Sequence, residues 1–173
     1  VFYTVSPFYL IHTLGMSAND YGLALIPYFA ALILGAAATG SMQKHFSSIA
    51  ILRIALLLGL LGSLVILAFS IGAPTSAFGL ILPMALYGFC HAMLGLQVEV
   101  KVSLFFSETP IASLGLLGLT LAVISSLVSV IASHIPTTTA MSIGIFLLIL
   151  VSLSLIATLS IKPDTVNSPA SKP

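Results

Sequence analysis

Gly40-Ser41-Met42-Gln43-Lys44-His45-Phe46-Ser47-Ser48-Ile49-Ala50-Ile51-Leu52-Arg53 lies between two long apolar runs and holds two of the chain's five Lys and Arg residues. It reads as a short cationic hinge, and the runs on either side are each about the length that a helix needs to cross a bilayer core. Composition supports that reading. Soluble domains carry roughly 25% charged residues, whereas this 173-residue chain carries 5%, with 59% hydrophobic residues and a mean hydropathy of +1.23. Nine charged side chains are too few to clothe a water-facing surface, so the expected solvent for most of the length is lipid.

Apolar runs of about 20 residues recur along the chain. A partial segment is expected from Val1 to about Leu14. Full spans follow over Ala18–Ser41, Ser48–Ile71, Ser76–Val98, Pro110–Ser133 and Thr137–Ile161. Lipid offers no partner for backbone N–H and C=O groups, which makes these runs helices and not open strands. The expected fold is therefore all-α: a polytopic bundle over residues 1–161 with six transmembrane helices, the first partial. The polar tail Lys162–Pro173, rich in Pro and Ser, is expected to be disordered. Ser17-Ala18-Asn19-Asp20 fits a capping box, and Thr109-Pro110 a cap followed by proline at the first helical position. The chain opens Val1-Phe2-Tyr3-Thr4 without methionine or a basic leader, so further sequence is expected upstream.

Charge orients the bundle. Lys44, Arg53, Lys101, Lys162 and Lys172 all fall on or near the second connection, the fourth connection and the tail; the other connections hold no Lys or Arg. The positive-inside rule makes that side, and the C-terminus, cytoplasmic. Arg53, about one turn inside its helix, is expected to snorkel back to the interface. Gly35 with Thr39, Ala36 with Gly40, Gly59 with Gly62, Gly88 with Ala92, and Gly115 with Gly118 are spacings that let membrane helices approach closely.

Polar groups inside a span are costly and mark candidate sites. His91 lies near the middle of the fourth segment, on one helical face with Met84, Tyr87 and Gly88. Tyr87 and His91 are candidate substrate contacts; the plainer alternative is a neutral His91 bonded to a neighbouring helix. Glu99 is a candidate coupling carboxylate if its helix runs on toward Phe106, or else an interfacial charge. Tyr3, Thr4, Ser6 and Pro7 cluster in the first segment, where Pro7 is expected either to open a bend that turns Tyr3 and Ser6 toward substrate or to be a tolerated kink satisfied by neighbouring helices; Pro27 and Pro83 read the same two ways. Asp20 and Glu108 read as helix-start residues. No metal site is expected, because His12, His45, His91 and His134 fall at unmatched depths and lack zinc spacing. One cysteine, Cys90, allows no internal disulfide. No Gly-x-Ser-x-Gly or Walker sequence appears and no basic patch grips phosphates. Enzyme activity, a cofactor and nucleic-acid binding are therefore not expected.

The stretch Tyr3-Thr4-Val5-Ser6-Pro7-Phe8, then Leu14-Gly15-Met16-Ser17-Ala18-Asn19-Asp20-Tyr21-Gly22-Leu23, and the small-residue-rich run into the Lys44 hinge resemble the start of the second half of a major facilitator superfamily transporter. The nearest resemblance is to the bicyclomycin-resistance (Bcr/CflA) group of drug:proton antiporters, which have a similar Tyr-x-x-x-Ser-Pro-Phe stretch; here Tyr3 and Ser6 stand one residue closer. Ser107-Glu108-Thr109-Pro110-Ile111-Ala112-Ser113-Leu114 resembles the opening of that group's penultimate helix. The superfamily's first half carries Gly-x-x-x-Asp-Arg-x-Gly-Arg-Arg between its second and third helices. Gly40-Ser41-Met42-Gln43-Lys44 keeps the glycine and a cation without the Asp and Arg cluster, as the second half does. Glu99 and Lys101 depart from the family's apolar pattern.

The resemblance implies a C-terminal half bundle in a bacterial inner membrane. Its partners would be the lipid bilayer, an N-terminal half of the same transporter, a small amphipathic substrate and protons, with efflux and drug resistance as the activity. The alternative expectation is a non-transporting multi-span scaffold or assembly subunit.

Overall fold

The computed structural model describes residues 2–72, 76–134 and 140–160, with the side chains of residues 2, 3 and 5 excepted. The expected tail over 162–173 lies outside them. The described residues are helical, without strands: α1 (Phe2–Pro7) runs into a π-helical turn (Phe8–Thr13), followed by α2 (Ala18–Ala24), α3 (Ile26–Met42), α4 (Ser48–Gly72), α5 (Phe78–Phe105), α6 (Pro110–Ser133) and α7 (Ala140–Leu159). Five helices among the described residues are long and apolar enough to cross a membrane, counting α2 and α3 as one span. The segment Phe2–Thr13 is 12 residues, about 18 Å at 1.5 Å per residue, and covers only part of a bilayer.

Local chemistry sets the boundaries. Pro7 cannot donate to the helix ladder, and the chain widens into the π turn directly after it. The Leu14 N–H then reaches back five residues to the Tyr9 carbonyl, at 3.0 Å. Gly15, with φ of 70°, reverses the chain, and the Met16 N–H closes on the Leu10 carbonyl at 3.0 Å. A left-handed residue at a helix end favours glycine.

Ser17 accepts from the Asp20 N–H at 3.1 Å and donates to the Asp20 carboxylate at 2.7 Å. The expected cap therefore forms, but the return bond of a full capping box is replaced by a side-chain pair. Thr109 makes no side-chain cap bond, although Pro110 does open α6. The cationic hinge folds as tight turns, with the His45 and Phe46 N–H groups on the Met42 carbonyl.

α5 is longer than the apolar run implied. It continues past Val98 to Phe105 because no glycine or proline interrupts residues 96–105. Lys101, expected in a connection, is part of the helix. Pro83 is buried within α5 without breaking it, whereas Pro27 follows the break between α2 and α3 at Leu25.

α5 packs against α3 and α4, and α4 against α7. The α3–α5 contact is backbone to backbone: a Cβ on Gly35 would collide with the Phe89 carbonyl, and one on Gly88 would stand 2.6 Å from the Tyr28 carbonyl oxygen. Thr39, fully buried, donates to the Gly35 carbonyl at 2.8 Å. Gly59 and Gly62 accommodate the Tyr87 ring, whereas nothing lies within 4 Å of a Cβ on Gly40, Gly115 or Gly118. Three of the five expected small-residue pairs thus serve close packing, and those holding Gly40, Gly115 and Gly118 leave these glycines open.

One core cluster joins Tyr9, Leu10, Ile66, Leu80, Met84, Ala132, Ile143 and Leu147, and a smaller one joins Ile51, Ala55 and Met93. Half-buried Arg53 does more than snorkel: its guanidinium donates to the Thr158 carbonyl at 3.4 Å, placing a cation on the last turn of α7, the negative end of that helix.

Gly88→Ala is expected to destabilise the bundle by about 1–3 kcal/mol, because neither backbone can yield without separating α3 from α5. Gly115→Ala is expected to be neutral within about 0.5 kcal/mol. Detergent-titrated unfolding followed by circular dichroism measures both.

Candidate functional site

The face of α5 bearing Met84, Tyr87, Gly88 and His91 changes character along its length. Toward the α5 N-terminus it is closed. Met84 is buried in the main cluster beside Tyr9, Leu10 and Ala132, and Gly88 is covered by Tyr28. From His91 onward the same side of the helix opens. His91, Gly95, Glu99, Val102 and Phe106 follow at spacings of four, four, three and four, which keeps them on one side. His91, Glu99 and Phe106 are exposed, and a Cβ on Gly95 would meet nothing within 4 Å.

α6 follows α5 and packs against it. Ala132 is the one described residue of α6 that is buried, and every residue from Gly118 to Leu127 is exposed. The helix is joined to α5 at its start and reaches the core through Ala132 near its end. Between these points the middle of α6 is uncovered. A cleft of about 400 Å³ lies between Val102 and Phe106 at the C-terminal end of α5 and the first turns of α6.

The sequence-derived candidates separate into three places. Tyr3 lies in α1, and its side chain is outside the described residues. Ser6 is buried and shares a hydrogen bond with the Tyr21 hydroxyl at 3.0 Å, which ties the first segment to α2. Tyr87 is half-buried and hydrogen-bonded to Ser63 of α4. Ser63 donates to the Gly59 carbonyl at 3.1 Å, so the Tyr87 hydroxyl supplies the proton of their shared bond. Of the candidates whose side chains are described, only His91 and Glu99 are exposed, eight residues or about 12 Å apart along α5. Among the described residues no ion pair engages Glu99, Lys101 or Glu108, and no three His, Cys, Asp or Glu side chains converge to hold a metal ion.

Two polar residues escaped the sequence reading. Ser63 is fully buried as the partner of Tyr87; a serine one residue after Gly62 in an apolar run was its signal. Gln97 is 1% exposed, and neither its carbonyl oxygen nor its amide nitrogen has a partner among the described residues. A lone carboxamide between Leu96 and Val98 was visible as an intramembrane polar group, but not which way it turned.

No protein-family model, curated protein or solved structure matches this chain.

Tyr87→Phe and Ser63→Ala are expected each to cost about 0.5–1.5 kcal/mol, and the pair less than their sum, since each removes the same bond. A double-mutant cycle on unfolding free energy measures the coupling, and strict additivity would show that the bond contributes nothing.

Proposed function

We propose that this chain is one half of a secondary transporter of the major facilitator type, akin to the Bcr/CflA drug:proton antiporters, exporting amphipathic compounds against proton entry. The observation that carries the reading is that His91 and Glu99 are both exposed on one membrane-length helix, eight residues apart. Ionisable side chains within spans face a bundle interior or a water-filled cavity, because lipid does not solvate them. This face of α5 therefore belongs to the aqueous side. A second six-helix half would close it into a central cavity that opens to each side in turn.

In this arrangement a span completing α1 brings the half to six. His91 contacts substrate, and Glu99 exchanges the coupling proton at the cytoplasmic edge of the cavity; Ser6, buried on Tyr21, and Tyr87, bonded to Ser63, hold the helices around it and do not face the substrate as the sequence suggested. The Lys and Arg distribution supports a cytoplasmic hinge and C-terminus, in a bacterial inner membrane by the family resemblance.

A second reading, a multi-span scaffold without transport, is favoured by Gly115 and Gly118 on α6, which nothing approaches within 4 Å and which would receive a partner helix.

Single cysteines in a Cys90→Ala background separate the two readings. With a membrane-impermeant maleimide, His91→Cys, Gly95→Cys and Glu99→Cys are expected to react at least about tenfold faster than Ile33→Cys and Leu82→Cys, since only a hydrated thiol ionises to the reactive thiolate. Equal, slow labelling at all five positions rejects the cavity and favours the scaffold. In the intact transporter, substitution of His91 is expected to impair efflux while leaving membrane insertion unchanged; normal drug tolerance at normal expression would remove its assigned role.

A further inference from the structure

We infer that Gln97 holds an internal water molecule at the end of the bundle where the cationic hinge joins α3 to α4. The site is independent of whether the chain transports. Among the described residues, Ser6, Thr39, Ser63 and Gln97 are the buried polar residues. Three of them are satisfied within the chain. Ser6 shares a hydrogen bond with Tyr21, Thr39 donates to the Gly35 carbonyl, and Ser63 is engaged by Tyr87 and the Gly59 carbonyl. Gln97 is the exception. Its side chain is sealed from solvent, and its amide nitrogen and carbonyl oxygen both lack a partner among the described residues.

Helical spacing places that side chain. Met93, one turn before Gln97 on the same face of α5, is fully buried against Ile51 and Ala55 of α4, and Met42, the last residue of α3, packs on the same cluster. Gln97 continues this face toward the hinge, whose residues Gln43, Lys44, His45, Phe46 and Ser47 are exposed. Burial lessens in the same direction: Lys101, one turn beyond Gln97, is half-buried. From Gln97 to the end of α5 at Phe105 is eight residues, about 12 Å of helix, so the route from the polar end of the bundle is short.

The chemistry of the carboxamide selects the ligand. Burying it without partners is costly, and lipid supplies none. The packing that hides Gln97 also keeps a helix from outside the bundle from reaching it. A cation would satisfy the carbonyl oxygen and leave the amide N–H groups unpaired; an anion would do the reverse. Water does both. It accepts from Nε2 and donates to Oε1, closing a ring on the carboxamide, and keeps a second proton for a backbone carbonyl. Those bonds fall within the range of about two to four that buried waters make. Met93 and Met42 supply the room, because unbranched thioether chains adapt to irregular gaps.

Hydroxyl-radical footprinting with short X-ray pulses, on the full chain in lipid nanodiscs, tests the site. Radicals formed from an internal water oxidise the side chains beside it, even where bulk solvent does not reach. Met93 and Met84 are matched readouts, buried to 0% and 3% exposure on the same helix. Met84 lies in the main cluster among Tyr9, Leu10 and Ala132, whereas Met93 is one turn from Gln97. Met93 is expected to be oxidised faster than Met84 and, in heavy-oxygen water, to carry the solvent's isotope. Gln97→Leu, which keeps most of the volume and removes both polar atoms, is expected to lose that excess and bring Met93 down to the Met84 rate. Gln97→Met gives the same comparison should the leucine variant fail to fold. Ser63→Ala, which disturbs the bundle elsewhere, is expected to leave the excess in place. Oxidation of Met93 no faster than that of Met84 in the unsubstituted chain would overturn the site. An excess that persists in both apolar variants would also overturn it, since bulk water would then enter by local opening of the hinge and not through Gln97.

Discussion

The bundle depends on a backbone contact that only glycine permits. α5 lies against α3 where Gly35 meets the Phe89 carbonyl and Gly88 meets the Tyr28 carbonyl. In lipid no gain from expelling water draws helices together, so association rests on close packing and interhelical hydrogen bonds. With α3 and α5 at this separation, α4 closes over Tyr87 through Gly59 and Gly62 and places Ser63 on its hydroxyl. α7 follows α4, held at its far end by Arg53 on the Thr158 carbonyl. Much of the order of the bundle thus traces to small residues at a few positions.

That packing is uneven along α5, and the unevenness is what gives the chain a functional side. The π turn after Pro7 puts Tyr9 and Leu10 into the main cluster with Met84 and closes one half of the α5 face. No described element covers the other half, where His91 and Glu99 lie. An apolar strip there would be ordinary lipid-facing helix. Two ionisable groups make it a surface that needs water or a polar partner, which is why the proposed cavity is placed on this side and not over the apolar outer faces of α3 and α4.

The spans were legible because a bilayer demands about 20 apolar residues per crossing and the breaks carry recognisable chemistry: Ser17 before α2, the Lys44 turns, and Pro110 at the start of α6. Where the reading departed from the structure, length and local chemistry were insufficient. α5 outran its apolar stretch because a helix ends at a breaker or a turn, and Glu99 and Lys101 are neither. Thr109 has the identity of a cap without its geometry. At the candidate site, the shared register of Met84, Tyr87, Gly88 and His91 could be read from the spacing. That the face is closed at Met84 and open at His91 could not, because it depends on where α1 and α6 lie.

The sequence by itself determined the apolar character and membrane-crossing length of the helices, the helical class, nearly all the helix limits and the charge asymmetry, since each follows from local composition and a fixed helical rise. Tertiary structure alone decided that Ser6 is engaged by Tyr21 and Tyr87 by Ser63, that Gln97 is sealed inside without a partner, and that His91 and Glu99 share an open strip. Helical periodicity assigns a residue to a face, but whether that face is covered depends on which neighbouring helix arrives there and how closely its backbone can approach.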